Sequence, residues 1–104
     1  MLTFNLDSPV DKQGQLAQKF RALRVFRNLR RKTLAEMSHV PEASIKRFES
    51  KGEISFRSLL CLAHALGVLD QFDHIFTLPS ASSLSEIEER EKRLTGFKKK
   101  RGRK

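Results

Sequence analysis

At 104 residues, with a formal net charge of +9 and a pI near 10.3, the chain has room for one modest core plus tails and none for a second domain. Its single cysteine excludes an intramolecular disulfide, and no apolar run approaches the roughly 18 residues a membrane span needs. No charged-then-apolar leader opens the chain, so the expected setting is a reducing cytoplasm.

Leu2, Phe4 and Leu6 alternate with polar residues and predict a short strand-like arm over residues 1–10, too brief to be stable unless it pairs with something. Ser8, Pro9 and Asp11 then form a helix-start signal. Leu16, Phe20 and Leu23, with Ala17 and Phe26, follow at helical spacing as far as Asn28, a residue that tolerates the left-handed backbone ending a helix. A second helix is predicted over Arg31 to Ser38, with Leu34, Ala35 and Met37 on its apolar face. Val40 plugs a tight turn. A third helix runs from about Pro41 to Ser50, with Pro41 at the first helical position, where its missing N–H is an orphan anyway, and Ile45 and Phe48 on the inner face. Gly52 is the exit.

In the next stretch Phe56, Leu59, Leu60, Ala63 and Leu66 form a stripe that Cys61 and Leu62 widen, predicting a helix buried on most sides and closed by Gly67. Asp70, Phe72, Ile75 and Phe76 predict a fifth short helix, stopped by Pro79. Residues 79–104 read as a linker, a charged helix over Glu86 to Arg93 with Ser83 and Glu86 spaced as a capping box, and a basic disordered tail.

The charge is uneven along this plan. Lys92 to Lys104 holds eight basic and no acidic residues, which leaves 13 basic against 12 acidic elsewhere. Within that nearly neutral remainder, Lys19 to Lys51 carries ten basic residues against three acidic ones, so the positive field coincides with the second and third helices.

Several of these residues stand in a recognisable register: Arg24 ten residues ahead of Leu34 and Ala35, Glu49 at the end of the third helix, then Ala63, Ala65, Leu66, Gly67 and Val68. On them, the stretch from Leu23 to Val68 resembles the Cro/C1-type (XRE) helix-turn-helix family. The resemblance implies an all-α, five-helix, lambda-repressor-like DNA-binding domain, here over residues 11–78, with Arg24 and Glu49 as a structural ion pair beneath the recognition helix. The chain departs from the family pattern at three points: His39 stands where Gly is usual in the turn, Arg31 where Gln is usual, and Arg30 where Ser or Thr caps the second helix. The wording VPEASIKRFE, followed by Leu-Gly-Val-Leu-Asp and a basic, Glu-rich tail, looks most like HipB-type antitoxins. That implies a HipA-like serine/threonine kinase toxin as partner and repression of the shared operon.

The outer face of the third helix is left to Glu42, Ala43, Ser44, Lys46 and Arg47, which are expected to read base edges in a major groove. Ala43 suits a thymine methyl; Glu42 suits either a cytosine amino group or the positive end of the helix dipole. Arg30, Arg31, Lys32 and Lys51 are expected on phosphates. Cys61 reads as a small hydrophobe. His39, His64 and His74 lack metal-ligand spacing, and no nucleophile-base-acid set or phosphate loop is present, so no enzyme, metal or cofactor is expected. A palindromic operator demands a two-fold protein, which points to a homodimer sharing Leu2, Phe4 and Leu6 of the arm and Phe72, Ile75 and Phe76. Bound to double-stranded DNA, such a repressor is cytoplasmic and nucleoid-associated. The alternatives are a phage-type regulator without a toxin partner, or a non-specific nucleic-acid binder using the basic tail.

Overall fold

The computed structural model describes the backbone of residues 7–80 and 83–102 and the side chains of 7–80 and 83–96; over these the chain is helical, with no strand. Leu2, Phe4 and Leu6 lie outside the described residues. The chain divides into two units, Met1–His74 and Ile75–Lys104. None of the described helices is long and apolar enough to cross a membrane.

Helix α1 (Pro9–Phe26) starts on a full capping box: Ser8 Oγ accepts from the Asp11 N–H at 3.1 Å, and Asp11 Oδ2 accepts from the Ser8 N–H at 3.1 Å. The cap draws residues 9 and 10 into the helix, so less is left for the arm expected over 1–10. The buried stripe of α1 is Ala17, Phe20 and Arg24, with Leu23 half-buried. Leu16 and Phe26, expected on that stripe, are exposed, Phe26 at 82%. The stripe runs 17, 20, 24, and Phe26 falls on the opposite side of the helix. Asn28 then takes φ 56°, the left-handed conformation expected of it.

Helix α2 (Arg31–Ser38) and helix α3 (Glu42–Lys51) are joined by three residues. His39 sits at φ 62°, ψ 21°, and its N–H closes α2 on the Ala35 carbonyl at 2.9 Å. A non-glycine residue in this region carries some strain, which the buried turn around it must offset. Ser38 helps do so: its buried hydroxyl donates to Leu34 O at 2.7 Å and accepts from the Val40 N–H at 3.2 Å, tying the helix end to the start of the next element. Met37, expected inside, is exposed because Leu34 and Ser38, four apart, take the inner face. Pro41 sits just outside α3 as its N-cap (φ −56°, ψ 142°), with its carbonyl accepting from Ser44 and Ile45. The extended ψ keeps the ring clear of the first turn, and α3 begins one residue later than expected.

The core of the first unit is Ala17, Phe20, Leu34, Val40, Ile45, Phe48, Leu62 and Leu66. Phe20 and Phe48 pack as tilted rings with centroids 5.2 Å apart, joining α1 to α3. Burying a side chain such as Ile45 or Phe48 contributes about 1.5–3 kcal/mol. Helix α4 (Phe56–Ala65) is capped by Ser55, whose Oγ accepts from the Ser58 N–H at 3.1 Å, and it buries Leu62, Ala63 and the C-cap Leu66. Phe56 is exposed rather than buried, and Cys61 is half-buried against the core. A 3₁₀ helix, Leu69–His74, replaces the fifth α-helix expected there. At six residues it is long for this tighter geometry, and Phe72 meets Phe56 edge to face at 6.1 Å.

In the second unit Ile75 is half-exposed and Phe76 fully so, at φ 59°, which rules out helix at that residue. Helix α5 (Leu84–Gly102) is preceded by Ser83, whose Oγ accepts from the Glu86 N–H at 3.2 Å, one of the two bonds of the expected capping box. It continues to Gly102 through residues expected to be disordered. Lys, Arg and Leu are good helix formers, and Glu88 and Glu89 precede Lys92 and Arg93 by four residues, the favourable order for helical ion pairs.

Gly52 ends α3 at φ 73° and is itself buried; a Cβ there would lie 3.1–3.2 Å from backbone and Cβ atoms of Gln13, whose side-chain amide donates to Gly52 O at 3.3 Å. Gly67 has the same φ, but a Cβ at that position would meet nothing within 4 Å. Gly67→Ala should therefore cost only the left-handed backbone penalty of about 1–2 kcal/mol. Gly52→Ala should cost more, because α1 must also move, and urea denaturation of the two variants reads the difference. Equal midpoints would mean α1 does not press on the end of α3.

Candidate nucleic-acid interface

Helix α3 is pinned by its inner face and offers its outer one. Ile45 and Phe48 are buried, while Glu42, Ala43, Lys46, Arg47 and Ser50 are exposed and Ser44 is half-buried. The five residues expected to read bases thus share one accessible surface, apart from the partial cover over Ser44. Lys51 is exposed at the end of the same helix, and Arg30 and Lys32 are exposed at the start of α2.

Beneath this surface lies an ion cluster centred on Glu49, whose side chain is only 2% exposed. Arg24, 9% exposed, grips it with two hydrogen bonds, Nε to Oε2 at 2.6 Å and Nη2 to Oε1 at 2.9 Å. Its Nη1 donates to Leu29 O at 2.8 Å, so the same guanidinium also holds the link between α1 and α2. Arg31 adds a third bond to Glu49, Nε to Oε1 at 3.0 Å, and Arg21 Nε stands 4.0 Å from that oxygen. Burial works against ionisation of Glu49, but the hydrogen bonds and charges of Arg24 and Arg31 outweigh it and hold the carboxyl below its ordinary range.

Arg31 accordingly differs from the simple phosphate ligand expected of it. Its Nε is committed to Glu49, and its side chain is 34% exposed, leaving the outer edge of the guanidinium toward solvent. Arg30 is the N-cap of α2 and makes no side-chain cap bond, as expected from the loss of Ser or Thr there. The first N–H groups of α2 are thereby left to solvent or to an anion.

Two arrangements near the surface had no signal in the spacing of residues. Arg47 Nη2 donates to Glu53 Oε1 at 2.6 Å, a pair made by the reversal of the chain at Gly52. Arg27 Nη1 donates to Leu66 O, closing the end of α1 onto the end of α4. The first spans six residues across a turn and the second 39, and neither follows a periodic pattern. Among the described residues, Lys19, Arg30, Lys32, Lys46 and Lys51 make no ion pair or hydrogen bond through their side chains. They are cations available to a polyanion. Comparison with protein-family models, with curated proteins and with solved structures finds no match.

Glu49→Gln should destabilise the first unit by about 3–5 kcal/mol at neutral pH, since it leaves Arg24 buried without a counter-charge. The pH dependence has a definite sign. A carboxyl with a depressed folded pKa contributes stability above the ordinary value of 4.5 that is lost as pH falls through the depressed one. Urea denaturation of the parent at pH 7 and pH 3 should show that loss, and Glu49→Gln should lack it. A parent with the same acid sensitivity as the variant would mean the carboxylate is not held by the arginines.

Proposed function

We propose that this chain is a sequence-specific, double-stranded-DNA-binding repressor of the Cro/C1 helix-turn-helix type, with α3 as its reading helix. The observation that supports this most is the division of α3: Ile45, Phe48 and the Glu49 carboxylate are anchored inward, while Glu42, Ala43, Lys46 and Arg47 form an accessible outer face. A helix that offers small residues near its start and long cationic ones further along suits entry into a major groove. Arg30, Lys32 and Lys51 flank that face and suit phosphates, and the outer edge of Arg31 can join them while Glu49 fixes its Nε.

Specific recognition by so small a face calls for two copies on a palindromic operator, with the reading helices about 34 Å apart. The homodimer is proposed to use exposed apolar side chains such as Ile75 and Phe76. Phe72 contributes less than the sequence implies, because it is half-buried and its ring already packs against Phe56. The antitoxin role, with a HipA-like kinase as partner and the operon as target, rests on the resemblance of the α3 segment and its flanks. Co-expression with the product of the neighbouring reading frame tests it directly.

Arg47→Ala should weaken binding to the operator by about 1–3 kcal/mol and flatten discrimination at one base position. Anisotropy titrations on operator and scrambled duplexes separate the two effects, and an equal loss on both would reduce Arg47 to a phosphate contact. Arg31→Ala should instead weaken all duplexes and make the logarithmic salt slope shallower by about 0.9.

A further inference from the structure

Glu53 stands outside α3, yet its carboxylate is the one the Arg47 guanidinium meets. It follows Gly52, whose left-handed backbone turns the chain back beside the last turns of α3, and its Oε1 accepts from Arg47 Nη2 at 2.6 Å. The two side chains are 61% and 53% exposed, and they border a shallow groove shared with Ser44, Ile54, Ser55 and Ser58. An exposed pair of this kind contributes little to stability. Its consequence lies in the geometry it imposes on the arginine.

We propose that Glu53 is a positioning residue that holds Arg47 for two-bond recognition of a guanine; this rests on the reading of α3 as the DNA-reading helix. A guanidinium has five N–H donors in a rigid planar fork. With Nη2 fixed by Glu53, a second edge of the fork remains for the adjacent acceptors O6 and N7 that guanine presents in the major groove. Adenine presents a donor where guanine has O6, so the same edge meets only one acceptor. The carboxylate acts in two ways. It holds a long side chain in one geometry before DNA arrives, which reduces the ordering cost of binding. It also repels phosphate, the acceptor that competes for an untethered arginine on any sequence.

The test is selection from a randomised duplex library by the parent, Arg47→Ala and Glu53→Gln, each checked by its thermal melt. The parent should enrich one guanine position per half-site, and Arg47→Ala should lose it. Glu53→Gln should lower preference for that guanine by about two- to fivefold, the range an exposed pair supplies, while binding random duplexes more tightly, because one carboxylate is gone. A Glu53→Gln protein that selects the parental motif with undiminished guanine preference would overturn the proposal and leave α3 as the reading helix. A parent that enriches no motif would overturn the reading of α3 itself, and the two failures are thereby distinct.

Discussion

The first unit depends on one buried carboxylate. Glu49, near the end of α3, receives Arg24 from α1 and Arg31 from α2, so three helices meet on two oxygen atoms. Hydrophobic contacts alone leave helices free to slide and rotate over one another, because burial is not directional. A two-bond arginine–carboxylate pair is directional and fixes both rotation and register. The cluster therefore orients α3 while Ile45 and Phe48 supply the affinity of α3 for the core. Removing the Glu49 carboxylate is costly because Arg24, 9% exposed, is already out of water, whereas the 34%-exposed Arg31 can still be solvated.

That same cluster redistributes the charge of the segment. Lys19 to Lys51 has an excess of positive residues, yet Arg24 is inward, Arg31 is half-committed to Glu49 and Arg47 is held by Glu53. Among the described residues of this segment, the cations left without partners are Lys19, Arg30, Lys32, Lys46 and Lys51. Attraction of such cations to a polyanion is long-range and general, whereas in the proposed reading the arginine paired with Glu53 is the one suited to discriminate.

Much of this was legible in the chain. Helix α2 lies where Leu34 and Ala35 put it although Arg30 leaves its start uncapped, and Asn28 and Gly67 end their helices in the left-handed conformation. Those features follow from local preference and periodicity. The strength of the Arg24–Glu49 pair was implied by resemblance rather than by spacing. What could not be read was the long-range geometry: Arg31 turning inward to Glu49, Glu53 folding back on Arg47, Gln13 lying against Gly52. Phe26 and Met37 illustrate the opposite error, since apolar character at nearly the right spacing does not ensure burial when a neighbouring residue sits closer to the centre of the stripe. The length of α5 was missed because a run of lysines and arginines reads as repulsive, although each is individually a good helix former.

If α3, oriented by Glu49, is the surface that meets DNA, the backbone amides around it should sense a bound duplex first. The most direct measurement is an amide chemical-shift titration of the whole chain with a duplex drawn from the DNA upstream of its own reading frame. The largest shifts should fall on Arg30 to Lys32 and Glu42 to Arg47, with the amides of Leu62 to Leu66 unmoved. Shifts confined to residues after Lys92, with α2 and α3 unchanged, would contradict this reading and make the basic C-terminal segment the nucleic-acid-binding element.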